Sequence, residues 1–252
     1  MAELDRRYEQ TVGRADAGAI DQGLRSYMLR VYNYMASGVA ITGVVAYVVY
    51  AMSVVTGADG SITGLTSFGN VMFNSGFKWV VIFAPLAMVF FISFRIQNLS
   101  VGTAQTLFWL FSALMGASIA SIFLVFTGAS IARVFFITAA AFGALSLWGY
   151  TTKKDISGWG SFIFMGLIGI ILASIVNLFL GSTALQFAVS VIGVLVFAGL
   201  TAYDTQQIKE MYNVNDDGSV AGKKAVMGAL RLYLDFINLF MMLLQLLGQN
   251  RN

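Results

Sequence analysis

The chain has 252 residues, of which 58% are hydrophobic and 11% charged, and its net charge is +3. Soluble domains carry roughly 45–50% apolar and about 25% charged residues, so this composition excludes an ordinary soluble protein and indicates one that faces lipid. The sequence contains no cysteine and no histidine, which excludes disulfides, thiol catalysis and the usual ligands of zinc, haem and iron–sulfur clusters. We therefore expect no cofactor. We interpret the basic residues behind the small positive charge as signals of membrane topology and not as a surface that binds nucleic acid.

The first part of the chain differs in character from the rest. Residues 1–30 are polar, carry charges of both signs and lack the apolar core of a signal peptide. We therefore predict two regions, a short cytoplasmic tail over residues 1–30 and a transmembrane domain over residues 31–252.

Seven segments after the tail are apolar enough to be transmembrane helices, each of which needs about 20 residues. The first four are predicted at residues 34–55, 78–95, 103–126 and 131–150. A turn at 181–183 divides the charge-free stretch 156–203 into the fifth and the sixth, and the seventh is predicted at 225–247. A polar loop is predicted over residues 206–224, between the last two spans. The fold class that these segments indicate is all-α, a polytopic membrane protein built as a bundle of seven transmembrane helices.

The lysines and arginines outside the spans predict the orientation of the chain, because cytoplasmic connections of membrane proteins are enriched in both. With the N-terminus inside, eleven of them fall in cytoplasmic segments, and only Lys78, Arg133 and Arg251 fall on the other side. We therefore expect a cytoplasmic N-terminus. The last span either crosses the membrane fully or enters it and returns, because the segment after it is too short to decide between the two.

Two of the twelve acidic residues lie at membrane depth, Asp204 near the inner end of the sixth span, a few residues before Lys209, and Asp235 inside the seventh. A carboxylate at membrane depth costs about 2.5–3.5 kcal/mol on insertion scales, and such residues usually face the bundle interior and mark an ion path or a switch. Asp235 lies eleven residues beyond Lys224, which is about 16 Å of helix. If the seventh span tilts or begins near Val226, the two carboxyl groups come within reach and share a proton. The alternative is a structural pair that is satisfied by hydroxyl groups and by Arg231.

The seventh span carries a stripe on one face that runs at three- and four-residue steps through Arg231, Asp235, Asn238, Met242 and Gln245. We expect the polar residues of this stripe to be buried in protein. A helix with such a stripe is best placed at the centre of the bundle, which makes Asn238 and Gln245 candidates for lining a pore. Arg231, together with Arg95 at the inner end of the second span, is a possible partner of the aspartates. The alternative for both arginines is an interfacial position in which the long side chain reaches toward the head groups.

The sequences around the two aspartates resemble the signature of the Bax inhibitor-1 family, the transmembrane Bax inhibitor motif proteins. Residues 199–209 read GLTAYDTQQIK, and residues 229–240 read ALRLYLDFINLF. Residues 149–157, GYTTKKDIS, are similar to the bacterial branch of that family. The resemblance extends from about Arg25 to the end of the chain.

The resemblance implies a seven-helix fold with the C-terminal helix at its centre, in a bacterial inner membrane. It implies that Asp204 and Asp235 form a pH-sensitive pair, and that Arg95 corresponds to an arginine of the second helix that pairs with the aspartate of the sixth. It further implies a passive leak of calcium through the bundle, with roles in ion homeostasis and stress protection.

Three functions follow as hypotheses. The leading one is a pH-sensitive leak channel for calcium or other cations, gated by Asp204 and Asp235, whose partners are the lipid bilayer and the transported ion. The second is a modulator of membrane protein quality control that transports nothing and binds a membrane protease. The third, an intramembrane aspartyl protease, is disfavoured because such enzymes have Gly-x-Gly-Asp at the second aspartate, whereas Leu232, Tyr233 and Leu234 precede Asp235 here. We therefore expect no enzymatic activity.

Overall fold

A computed structural model describes residues 2–58 and 61–251, with side-chain detail from Gln22 onward. Seven helical segments within this part of the chain are long and apolar enough to cross a membrane. They are Gln22–Ser53, Phe77–Asn98, Val101–Val125, Gly128–Thr151, Ser157–Leu180, Thr183–Glu210 and Gly218–Leu247. The prediction of an all-α polytopic membrane protein with seven spans is confirmed.

The elements follow one another in a simple order along the chain. They are α1 (Ala2–Ser53), β1 (Val54–Thr56), β2 (Ile62–Leu65), α2 (Ser67–Gly69), α3 (Phe77–Arg95), α4 (Val101–Ile119), α5 (Ile122–Val125), α6 (Gly128–Thr151), α7 (Gly160–Leu180), α8 (Thr183–Glu210) and α9 (Gly218–Leu247). The third span comprises α4 and α5. The first candidate span, Gln22–Ser53, contains most of the span predicted at residues 34–55, and the side chains of the tail before Gln22 lie outside the described residues.

The turn predicted at residues 181–183 is present between α7 and α8. Gly181 has a φ of 60°, in the left-handed region that glycine enters without steric cost and that commonly ends a helix. Ser182 then caps α8, because its hydroxyl oxygen accepts a hydrogen bond from the backbone N–H of Leu185 at 3.2 Å. A single charge-free stretch is thereby divided into two antiparallel spans.

The prediction of a polar loop over residues 206–224 is wrong in its extent, because most of these residues are helical. The chain between α8 and α9 is only residues 211–217. Gln206 is buried inside α8, where its side-chain amide donates to the backbone oxygen of Lys154 at 2.8 Å. Asp217 is the N-cap of α9, since its carboxylate accepts from the N–H of Val220 at 2.7 Å. The polarity of this segment suggested a loop, whereas Asp217 caps a helix and Gln206 forms a hydrogen bond to the backbone of a neighbouring segment.

The connection between the first two spans contains a short antiparallel hairpin that the sequence analysis did not predict. In it, β1 pairs with β2, with Val54 opposite Leu65. The backbone N–H of Thr66 then donates to the oxygen of Ser53 at 2.9 Å, which ties the hairpin to the end of α1. The hairpin continues the apolar run of the first span, so hydropathy does not separate it from the helix.

The last helix, α9, packs against α1, α4, α6 and α8. Half of its most apolar window is buried inside the protein, compared with at most 33% for any other span. It has 30 residues, which correspond to about 45 Å of helix and exceed the hydrocarbon core of about 30 Å. Its length therefore suffices for a full crossing.

Candidate functional site

The depth of the two aspartates is fixed by the way α8 and α9 pack against each other. The helices are antiparallel neighbours, and the side chain of Ile208 lies against the backbone of Gly228. Asp204 lies one turn before Ile208 on α8, and Asp235 lies two turns after Gly228 on α9. Because the two helices are antiparallel, both aspartates lie on the same side of this contact. This register places both carboxyl groups at nearly the same level between the helices.

The structure brings the two carboxyl groups close enough to act on each other directly. Asp235 is only 5% exposed, and Asp204 is half-buried. The Oδ2 atom of Asp235 is buried without a donor among the described residues. Two carboxylate oxygens are both acceptors, so a hydrogen bond between them requires that one carboxyl group carries a proton.

Arg231 is the cationic neighbour of the pair. It lies one turn before Asp235 on α9, has an exposed side chain, and acts electrostatically on both aspartates. It does not form an ion pair with either of them, because the single ion pair among the described residues joins Lys224 and Asp216 at 2.5 Å. The guanidinium therefore stands near the pair without neutralising it by direct contact.

The other predicted site residues do not all converge on the aspartates. Arg95 is exposed at the end of α3 and makes no ion pair with the aspartates among the described side chains. Asn238 is half-buried and donates to the backbone of its own helix at 2.8 Å. Gln245 is exposed, and its Oε1 accepts from the hydroxyl of Ser190 at 2.7 Å, which links α9 to α8. The expectation that the whole polar stripe is buried is therefore wrong for Gln245 and Arg231.

A chain of hydroxyl groups near the pair was not predicted from the sequence. The hydroxyl of Tyr32 on α1 lies 2.7 Å from that of Ser146 on α6, which lies 2.9 Å from that of Thr205 on α8. Thr205 is the residue after Asp204, so this chain connects three helices beside the site. Serine and threonine are frequent in transmembrane helices as packing residues, and nothing in their spacing indicates which of them meet.

Tyr233 is a second residue whose role was underestimated, since its sequence context suggested packing alone. It is fully buried against Phe108 and Phe111. Its hydroxyl lies 2.6 Å from that of Thr42, which also lies 2.8 Å from the backbone oxygen of Ser112. These contacts join α1, α4 and α9 only two residues from Asp235.

The site is too poor in ligands to hold a resident metal ion by itself. No group of three or more Asp, Glu, His or Cys side chains is close together in the described part of the chain.

The carboxylate of Asp155, which lies in the connection between α6 and α7, has a different environment. The hydroxyl and the backbone N–H of Ser157 both donate to it, the latter at 2.8 Å, and these bonds lower the pKa of Asp155 below its ordinary value. The side chain is exposed. Asp155 is therefore ionised throughout the neutral range and is no pH sensor.

A seven-span helical bundle with two interacting carboxyl groups between its last two spans defines a polytopic membrane protein with an intramembrane acidic site. The chain belongs to the Bax inhibitor-1 family, since the family model described as inhibitor of apoptosis-promoting Bax1 matches residues 24–252. The resemblance predicted from the sequences around Asp204 and Asp235 is thereby confirmed.

Three relatives cover nearly the whole chain. The inner membrane protein YbhL of Escherichia coli strain K12 is 50% identical over 231 residues, 91% of this chain and 94% of its own. Protein RP147 of Rickettsia prowazekii is 47% identical over 234 residues, 92% of this chain and 93% of its own. A protein of Caulobacter vibrioides is 44% identical over 254 residues, the full length of both chains. The similarity therefore extends over all seven spans.

Proposed function

We propose that this protein is a pH-sensitive leak channel for calcium or other cations in a bacterial inner membrane, gated by Asp204 and Asp235. The observation that carries the proposal is the close approach of these two carboxyl groups inside the bundle, where each acts on the other. Buried carboxyl groups in transmembrane segments are costly and usually serve ion pathways or proton-linked switches.

The surroundings of the pair support an aqueous path. The hydroxyl of Tyr27 and the Oδ2 atom of Asp235 are both buried without a partner among the described residues. Arg231 acts electrostatically on both groups. Buried polar groups are normally satisfied by protein or by water, so these atoms suit water or an ion that enters between α1, α8 and α9.

The proposed gate has two arrangements. While the aspartates share a proton, the hydrogen bond between them holds α8 and α9 together at this level. Loss of the proton leaves two negative charges in a region of low dielectric, where they repel each other strongly. The helices then separate locally or Arg231 moves between the carboxylates. A change of charge that selects between two packings is the minimum that a switch requires.

The proposal predicts calcium flux through the purified protein without any partner. Proteoliposomes that contain only this chain and an internal calcium dye should take up calcium faster than protein-free vesicles, at a rate that changes with pH. Vesicles that contain the heat-denatured protein are the control for leakage. Flux equal to that of protein-free vesicles at every pH contradicts the channel and favours the alternative, a non-transporting modulator that binds a membrane protease.

We also propose that the N-terminus is cytoplasmic, as the distribution of lysine and arginine indicates. The chain has no native cysteine, so single cysteines can be introduced at exposed positions on opposite ends of the bundle. Ser219→Cys at the start of α9 should react with a membrane-impermeant maleimide only after the cells are opened, whereas Thr63→Cys in β2 should react on intact cells. The reverse pattern contradicts the proposed orientation.

A further inference from the structure

A cleft of about 750 Å³ lies between α1 and α6, and neither aspartate of the pair lines it. Its walls are apolar and include Met35 and Val39 of α1 and Phe135 and Phe142 of α6, with Phe236 of α9 also in contact. No carboxylate is among the described residues that line it. The surface of the cleft is therefore mostly hydrocarbon, which is the surface that an acyl chain requires.

Two hydroxyl groups inside the cleft are already paired by hydrogen bonds. Tyr32 and Ser146 both line it, and their hydroxyl oxygens are 2.7 Å apart. The hydroxyl of Ser146 is also 2.9 Å from that of Thr205. A hydrocarbon chain in the cleft thus leaves these polar groups with their hydrogen bonds intact, and the desolvation cost that an unpaired hydroxyl would impose does not arise.

A second, polar cavity of about 500 Å³ adjoins the cleft at the end where the span of α1 begins. It is lined by Arg25 and Arg30 together with polar side chains that include Ser26 and Asn33. Arg25 and Leu29 line both cavities, so the basic cavity borders the apolar one. Arginine pairs with phosphate oxygens through two parallel N–H donors, and serine and asparagine add further donors.

The dimensions of the two cavities agree with those of a phospholipid. The α1 residues that line the cleft extend from Arg25 to Ala40, which is about 22 Å at 1.5 Å per residue. Half of the hydrocarbon core is about 15 Å thick, so the cleft accommodates an acyl chain from one leaflet together with the region below its head group. Basic cavities at the end of transmembrane helices are typical binding sites for anionic head groups.

We propose that this protein binds an anionic phospholipid, with its phosphate against Arg25 and Arg30 and one acyl chain in the cleft between α1 and α6. The complementary charge at the mouth selects an anionic lipid, because a zwitterionic head group brings its own cation next to the two arginines. The site is separate from Asp204 and Asp235, and the proposal does not depend on channel activity.

The test measures lipid retention by native mass spectrometry of the purified protein. The protein is incubated with phosphatidylglycerol or phosphatidylcholine of identical acyl chains. We expect retention of phosphatidylglycerol, and we expect the double variant Arg25→Gln/Arg30→Gln to weaken it about 30-fold. The matched control is Arg133→Gln, an exposed arginine of α6 that lines neither cavity and should leave retention unchanged.

The acyl-chain part of the proposal has a test of its own. Gly143 lines the cleft, and a Cβ atom there has open space around it, so Gly143→Leu should fill the cleft without disturbing the helices. The control is Gly169→Leu on α7, where a Cβ atom also meets nothing. We expect the variant at residue 143 to lose phosphatidylglycerol and the variant at residue 169 to keep it, with neither variant unfolding below the wild-type temperature.

Several results would overturn the proposal. Equal retention of the two lipids by the wild type indicates ordinary annular lipid, and retention that survives in the double arginine variant removes the proposed head-group contacts. Retention in Gly143→Leu excludes the cleft as the site of the acyl chain. A dimer of this chain that holds no lipid in the same spectra shows that a second copy is the occupant.

Discussion

Asp204→Asn and Asp235→Asn are each expected to abolish the pH dependence of calcium flux across the neutral range, while flux itself persists. An asparagine keeps the size of the side chain and provides a permanent N–H donor to the remaining carboxyl group. The contact that otherwise depends on a shared proton then no longer depends on pH. The measurement is the initial rate of calcium entry into proteoliposomes at a series of pH values.

The matched control for this experiment is Asp155→Asn. Asp155 is an exposed carboxylate whose pKa is lowered by the hydrogen bonds from Ser157, so it stays ionised across the range and its replacement should leave the profile unchanged. A wild-type profile in both Asp204→Asn and Asp235→Asn would show that the pair is structural and that the gate lies elsewhere. A flat profile in the Asp155 variant would point to surface charge as the origin of the pH response.

The second large effect is expected for Gly149→Ala, which should destabilise the protein. Gly149 of α6 faces the backbone of Ala202 on α8, and a Cβ atom there would lie well inside van der Waals contact of the carbonyl oxygen. A backbone atom moves only if the helices separate. Overpacking of this kind costs about 1–3 kcal/mol, which exceeds the gain of roughly 0.5–1 kcal/mol that alanine brings to a helix in place of glycine.

The same substitution at Gly143, six residues earlier on the same helix, is the control for this prediction. A Cβ atom at residue 143 meets nothing within 4 Å, so Gly143→Ala should raise stability by up to about 1 kcal/mol through helix propensity alone. Thermal unfolding in detergent, followed by the fluorescence of the four tryptophans, measures both variants. Shifts of the same sign and size would contradict the tight contact between α6 and α8.

The Gly149 variant also connects stability with the site. Ala202 lies two residues before Asp204 on α8, so a helix displaced at Ala202 displaces the carboxyl group as well. We therefore expect Gly149→Ala to change the pH profile of calcium flux, whereas Gly143→Ala should leave that profile at the wild-type shape.

The amino-acid sequence by itself determined the class of fold and the pair of residues at the site. The bilayer sets the length and apolarity of each span separately, so the seven spans can be predicted from charge-poor stretches and one local turn without any long-range information. The turn at Gly181 is likewise local, since it depends on one residue that adopts a positive φ. Asp204 and Asp235 stand out because a carboxyl group within an apolar stretch is rare and costly.

The tertiary structure alone decided which side chains meet. The contact between the hydroxyls of Thr42 and Tyr233 joins residues that are 191 positions apart in the sequence. The contact between the hydroxyls of Tyr32 and Ser146 joins residues that are 114 positions apart. The cleft between α1 and α6 exists only once both helices are placed. The rotation of each helix about its axis and its depth beside its neighbours are set by packing and hydrogen bonds between distant segments. Hydropathy gives the length of a span but neither the rotation of its helix nor its depth beside its neighbours.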